Sequence, residues 1–251
     1  MKPNFIRRSL LRTLGRASEA LFTSSAEYNR FLTAAMDKQS FVRLVRQYYR
    51  DSSTAKVKTV MDVGANVGQS AETFLRIFPA ARVYSLEPAR KSFDDLCSRH
   101  KGNSRLTLLH YAASDEEGPR ELRHSEVSLA NSLSIPWRST GTSETVNCRR
   151  IDRLSEELNI DQLNLLKIDT EGHDLQVLKG TDRMLFEGRV DMIVVECGFK
   201  PNDSCHSDFY AIADYLKPFN FCVSGFTEAN NFEWNDIFCL LYCNAVFTRS
   251  E

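Results

Sequence analysis

With 251 residues and a formal net charge of −1, the chain is long enough for one large α/β domain and carries no global basic field that would draw it to nucleic acid. Its 42% apolar and 26% charged residues are those of a globular protein, and no apolar run is long enough to span a bilayer. Seven cysteines, scattered and odd in number, without a convincing signal peptide, read as reduced thiols in a cytosol-like compartment; no Cys/His spacing matches a zinc site, so no metal is expected.

The first elements are helical. Residues 1–18 carry Lys2, Arg7, Arg8, Arg12 and Arg16 and no acid. At helical spacing Ile6, Leu10, Leu14, Ala17 and Leu21 share one face and Arg8, Arg12 and Arg16 the other. Residues 5–22 therefore suit peripheral contact with an anionic membrane surface, a transit-like segment, or packing onto the domain or a second subunit. Apolar positions from Tyr28 to Tyr48 predict more helix over 26–50, and Asp51-Ser52-Ser53-Thr54 breaks it. Residues 1–54 thus read as an N-terminal helical extension and 55–251 as the main domain.

That domain opens with Thr59-Val60-Met61-Asp62-Val63-Gly64-Ala65-Asn66-Val67-Gly68-Gln69-Ser70. An apolar run, a glycine turn and an amphipathic segment (Phe74, Leu75, Ile77, Phe78) predict strand, tight turn and helix. Gly64 and Gly68 lack a Cβ, so the backbone can turn sharply and a ligand can come close. The spacing is not the G-x-G-x-x-G of pyrophosphate binders, and Asp62 puts a carboxylate at the mouth of the turn. An anionic lining suits a cationic ligand better than a diphosphate. S-adenosylmethionine, with a sulfonium, an α-amino group and no phosphate, meets that requirement. The next strand ends at Glu87 before Pro88, about 20 residues past the turn, where an acid can hydrogen-bond ribose hydroxyls.

Strands are expected near 58–63, 82–87, 105–110, 163–169 and 190–196, with helices near 68–78, 89–100 and 174–186. Such alternation implies a parallel sheet with helices on both faces. Ligands of these sheets bind beyond the carboxyl ends of the strands. That adds the Ala112-Ala113-Ser114-Asp115 turn and Asp169 to Asp62, Gly64, Asn66 and Glu87. Ser114 or Asp115 is placed to meet an adenine amino group, with Ala113 against the ring. In the insert 116–150, Glu121 to Ser134 alternates weakly and Glu144 to Ile151 reads as a strand. Its Ser125, Ser128, Asn131 and Ser132 either face a substrate or cap a solvated hairpin. Strands near 219–223 and 236–242, with no helix between them, predict an antiparallel hairpin at the sheet edge.

The block Leu163-Asn164-Leu165-Leu166-Lys167-Ile168-Asp169-Thr170-Glu171-Gly172-His173-Asp174, followed by Leu175, Val177, Leu178, Lys179 and Gly180, makes the reading specific. With the Asp62-to-Gly68 turn, Glu87-Pro88 and the strand ending at Glu196, it resembles the FkbM family of S-adenosylmethionine-dependent methyltransferases over roughly positions 58–200. The resemblance implies a class I methyltransferase (Rossmann-like) fold, S-adenosyl-L-methionine as cofactor, and O-methylation of a hydroxyl on a sugar, glycan or natural-product acceptor. Asp62, Gly64, Ala65, Asn66, Gly68, Glu87, Pro88, Ala113, Ser114, Asp115 and Asp169 are then the expected cofactor residues, and Asn131, Ser132 and Glu196 the expected substrate residues.

An alcohol acceptor must lose its proton as the new bond forms. His173, with an unperturbed pKa of about 6.5, suits a base at neutral pH; Asp169 and Glu171 compete with it. The family position occupied by His173 varies, so its role is not inherited. Two other functions fit a fold of this type: a nicotinamide-dependent oxidoreductase, weakened by the missing third glycine and by Asp62, and a catalytically silent binding module.

Overall fold

The computed structural model describes residues 41–51, 53–126, 131–134, 139–200, 203, 205–234 and 237–250, and of 231–239 the backbone alone. The basic segment 5–22 and most of the helix expected over 26–50 lie outside these residues. Helix α1 is seen at 41–49. It is held through buried Val45 and through Tyr49, whose hydroxyl donates to Asp191 Oδ2 at 2.6 Å. Val42–Glu251 form one compact unit.

Strands β1 (Thr59–Val63), β2 (Arg82–Leu86), β3 (Leu106–Leu109), β7 (Leu165–Ile168) and β8 (Met192–Gly198) run parallel; β9 (Phe221–Trp234) and β10 (Ile237–Arg249) complete the sheet as an antiparallel hairpin. The order is β3-β2-β1-β7-β8-β10-β9, the class I methyltransferase arrangement expected from the sequence. Its central strands read as near-continuous apolar runs because both faces are covered. Met61, Val63, Leu166, Ile168, Ile193 and Val195 are all buried in one core cluster.

Helices α2 (Gln69–Ile77), α3 (Arg90–Arg99), α4 (Ile151–Glu157), α5 (Asp174–Lys179), α6 (Asp182–Phe186) and α7 (Phe209–Leu216) accompany these strands. The single helix expected over 174–186 is two. Gly180 and Thr181 separate them, and a Cβ on Gly180 would stand 2.1 Å from the Ser114 carbonyl oxygen, so the chain turns where Ser114 presses against it. Helices α4 and α7 were not foreseen. The edge hairpin is far longer than the expected 219–223 and 236–242.

The insert forms its own sheet in the order β4-β6-β5, from β4 (Ala112–Ala113), β5 (Gly118–Ser125) and β6 (Ser139–Arg149). The strand expected to run to Ile151 stops at Arg149, since Ile151 opens α4. A bridge between Arg123 and Ser132 ties 131–134 to β5. Among the described residues no helix is long and apolar enough to cross a membrane. Cys97, Cys148, Cys197, Cys205, Cys222 and Cys243 are free thiols.

Candidate active site

Strand order reverses between β1 and β7, and ligands of open α/β sheets bind at that point. Gly64 leaves β1 there, Glu87 leaves β2 and Asp169 leaves β7. All three line one cleft with about 530 Å3 of empty space, part of it open to solvent.

The glycine turn is fixed by main-chain bonds. Gly64 N and Ala65 N both donate to Leu86 O, at 3.0 and 2.9 Å. Gly64 has φ 79°, and a Cβ there would fall 1.8 Å from the Asp169 carbonyl oxygen. The missing side chain therefore makes room for β7 rather than for a ligand. Gly68 (φ 95°) caps α2, and Ala65 is buried behind the turn; neither lines the cleft. Asn66 lines it in a left-handed conformation, φ 47°, which asparagine adopts more readily than other non-glycine residues but which still needs a local constraint to be fixed.

Glu87 provides that constraint. Its Oε2 accepts from Asn66 N and its Oε1 from Ala89 N, each at 2.8 Å. Burial pushes its pKa up from 4.5 to about 7, although those two backbone bonds oppose the rise. Each oxygen retains a lone pair for a ligand donor. Asn66 Oδ1 is buried without a hydrogen-bond partner among the described residues.

Asp62 departs from expectation. It precedes the last residue of β1, and strand side chains alternate, so its carboxylate lies on a face of the sheet rather than at the mouth of the turn. Its cross-strand neighbours are Ser85 on β2 and Lys167 on β7. Ser85 Oγ donates to Asp62 Oδ2 at 3.5 Å, and Lys167 Nζ stands 3.7 Å from Asp62 Oδ1 and 3.0 Å from Asp169 Oδ2. Burial pulls the Lys167 ammonium down, but Asp169 and Asp62 outweigh it and hold the group charged. Burial also lifts the Asp62 carboxyl above its usual range. This buried row orients Asp169, which does line the cleft.

The loop after β7 is shaped by Asp174, which accepts from Thr170 N and Oγ1 (both 2.9 Å), Gly172 N (3.2 Å) and Ser207 Oγ (2.9 Å). The clamp holds Glu171 at φ 54° and Gly172 at φ 90° and turns Glu171 into the cleft lining. From the insert, Ser132 Oγ donates to Glu171 O at 2.6 Å and Ser134 Oγ to Gly172 O at 3.3 Å. Ser132 thus tethers the loop, off the cleft surface. Asn131 does line the cleft, with its Oδ1 accepting from Ser125 N.

His173 lines the cleft as well, but its Nε2 is 3.0 Å from Ser114 Oγ, and burial pulls its pKa down to about 4. The Ser114 hydroxyl also donates to Asp115 Oδ1. With that proton committed, His173 Nε2 is the donor to Ser114. With its pKa held that low, the imidazole is a weak base toward an acceptor hydroxyl. Ser114 and Asp115, expected beside adenine, lie off the lining and serve this internal chain instead. Pro88 and Ala113 form part of the wall. Glu196 sits behind Glu171, outside the cleft; burial and the charges of Asp169 and Glu171 hold its carboxyl well above the usual range. Sequence reasoning missed Val63, Tyr111, Leu122 and Leu133, which with Ala112 and Thr170 complete the lining. Only the weak alternation of the insert hinted that Leu122 faces inward.

The Methyltransferase FkbM domain model matches residues 62–226, which contain the glycine turn, Glu87 and the whole 167–174 block. The chain belongs to the FkbM methyltransferase family. Two curated proteins are similar to it. Hexuronic acid methyltransferase AglP of Haloferax volcanii is 27% identical over 143 residues, 57% of this chain and 57% of that protein. The 2-O-methyltransferase NoeI of Sinorhizobium fredii is 25% identical over 146 residues, 52% of this chain and 60% of that protein. The match thus spans little more than half the length of these relatives. Among solved structures, the N-terminal domain of human METTL16 in complex with SAH covers 86% of this chain and 71% of its own, with TM-score 0.45 and 10% identity.

Proposed function

We propose that this FkbM-family chain is an S-adenosylmethionine-dependent O-methyltransferase acting on a hydroxyl of a sugar-type acceptor. The observation that carries the reading is Glu87: a carboxylate at the switch point, braced by two backbone N–H groups, with a lone pair left on each oxygen. That is the donor-seeking geometry two ribose hydroxyls require. The rest of the cleft fits a cation. Asp169 and the unpartnered Asn66 Oδ1 offer acceptors to an ammonium or sulfonium. A diphosphate would meet carboxylates here instead of a glycine-rich N–H cradle. Pro88, Ala113, Leu122 and Leu133 supply an apolar wall for a ring.

When bound, the cofactor supplies an electrophilic methyl group on sulfur. The protein's part is alignment and exclusion of water, and alignment alone can lower the barrier by about 7–11 kcal/mol. Lys167 locks Asp169 in place, and the Asp174 clamp presents Glu171 to the acceptor side. Both carboxylates accept hydrogen bonds from hydroxyls, as a sugar offers. The names of AglP and NoeI, a hexuronic acid and a 2-O-methyltransferase, support that acceptor class. His173 is assigned to hold Ser114 and the loop rather than to take the acceptor proton.

A thermal-shift comparison of S-adenosylhomocysteine with NAD tests the reading. Ligand at about 100 times its dissociation constant adds about 2.7 kcal/mol. For a chain of this size that raises Tm by about 5–10 °C. S-adenosylhomocysteine should produce the shift and NAD should not; the reverse would favour the oxidoreductase.

A further inference from the structure

We propose that Glu171, Glu196 and His206 form a divalent-cation site beside the cleft, joined to it through Glu171 and suited to Mn2+ or Zn2+. The residues come from three segments: the clamped loop after β7, strand β8, and the turn between β8 and α7. Their ligand atoms all lie within 4.8 Å of one another. No hydrogen bond joins any two of the three among the described residues. Three acceptors that converge without bonding one another leave space for a cation between them.

The histidine is prepared for this role. His206 Nδ1 is 2.8 Å from Asp203 Oδ2, and Asp203 Oδ1 accepts from Cys205 N at 2.9 Å. The ring stacks on Tyr242 with centroids 4.3 Å apart and planes at 15°. With Nδ1 donating to Asp203, Nε2 is the nitrogen left with a lone pair to offer an ion. A ligand histidine whose other nitrogen donates to a carboxylate is the usual outer shell of protein metal sites. Close packing holds the turn in place. A Cβ on Gly172 would meet Cys205 O at 2.9 Å, and one on Gly198 would meet Asp203 Oδ2 at 3.0 Å.

The carboxylates provide the second, independent sign. Glu196 Oε2 is buried with no hydrogen-bond partner among the described residues. Glu171 is kept in a left-handed conformation, and its carboxylate comes within 4.8 Å of the Glu196 and His206 ligand atoms. Asp169 and Asp174 add negative charge nearby, and Lys167 is already shared by Asp62 and Asp169. Two carboxylate oxygens with one imidazole nitrogen favour a borderline ion over Mg2+ or Ca2+, which prefer oxygen alone. Three protein ligands would leave positions open for an acceptor hydroxyl or carboxylate on the cleft side. That last role rests on the methyltransferase reading; binding of the ion does not.

The test uses the full-length chain after chelator treatment and dialysis. Mn2+ binding is followed by loss of the free-ion EPR signal and by calorimetry, with Zn2+ as competitor. The expected result is one Mn2+ per chain, displaced by Zn2+, with nitrogen coupling from His206 in the pulsed EPR spectrum. Glu196→Gln and His206→Ala should each weaken binding at least tenfold. Asp203→Asn, which removes only the partner of the ligand histidine, should weaken it roughly 10–100-fold. Absence of stoichiometric binding, absence of the nitrogen coupling in the wild-type protein, or unchanged affinity in Glu196→Gln and His206→Ala would each overturn the site. S-adenosylhomocysteine affinity, measured on the same samples, separates the two proposals. Its retention without Mn2+ binding removes the ion site alone, and its loss in the wild-type protein removes the methyltransferase reading alone.

Discussion

Replacing Glu87 by alanine separates the binding role of this residue from its structural one. Ionised Glu87 is itself a burden on the fold. Raising the acid from 4.5 to about 7 costs about 3 kcal/mol at pH 8, at 1.36 kcal/mol per pH unit. Alanine removes that cost but orphans Asn66 N and Ala89 N, at about 1–3 kcal/mol each. The opposing effects cancel to within a few kcal/mol, so Glu87→Ala should fold. Affinity should not survive: each hydrogen bond from a ribose hydroxyl to the carboxylate contributes about 1.5–3 kcal/mol, so losing one weakens S-adenosylhomocysteine binding roughly 10- to 150-fold. The pH dependence sharpens the test. A raised carboxyl pKa means that its contribution to stability is fully present below 4.5 and is lost as pH rises through about 7. Ligand binding has the opposite sign, because the acceptor is the ionised form, so wild-type affinity should rise as pH passes through about 7. Calorimetry from pH 6 to 8.5 on both proteins, with circular dichroism as the fold control, measures both effects. A folded Glu87→Ala protein with wild-type affinity and an unchanged pH profile would refute the assignment.

Gly64→Ala should damage the fold and not merely the pocket. Left-handed backbone costs about 1–2 kcal/mol and forced overpacking about 1–3 more, and a Cβ 1.8 Å from Asp169 O has nowhere to move; denaturant unfolding should show a loss of at least about 2 kcal/mol. Asp174→Asn keeps the shape but turns one acceptor oxygen into a donor facing existing donors; hydrogen exchange should show the 169–174 loop opening, with acceptor KM rising before Tm falls far. His173→Ala removes one buried bond to Ser114, so stability should drop by about 1–3 kcal/mol while kcat falls less than tenfold. A hundredfold loss of kcat with intact cofactor affinity would restore His173 as the base.

The parallel strands were legible because burial on both faces writes them as apolar runs. The five lie within two residues of where the sequence puts them. Strand β9 was legible only at its start. Past Val223 it carries Ser224, Thr227, Glu228 and Asn230, which break the apolar pattern, and pairing with β10 continues the strand regardless. Helices α4 and α7 are too short for a clear helical period. At the site, Glu87 was readable from its spacing beyond the glycine turn. Asp62 was misplaced by one step of strand alternation, which moves a side chain to the other face. Ser114, Asp115 and Ser132 are polar residues in the right neighbourhood whose hydrogen bonds go to His173, Arg150 and the Glu171 loop rather than into the cleft. Glu171, Glu196 and His206 belong to three separate segments, so no spacing announces that they meet.

The central claim is methyl transfer to a hydroxyl within this cleft. Its most direct measurement is incubation of the full chain with S-adenosylmethionine labelled in the methyl group and a panel of uronic acid and neutral glycan acceptors, followed by mass spectrometry and NMR of the products. The account predicts label in an O-methyl ether on a sugar, with transfer strongly reduced in folded Glu87→Ala. Cofactor that binds yet never transfers its methyl group, or label that appears on nitrogen or carbon, would contradict it.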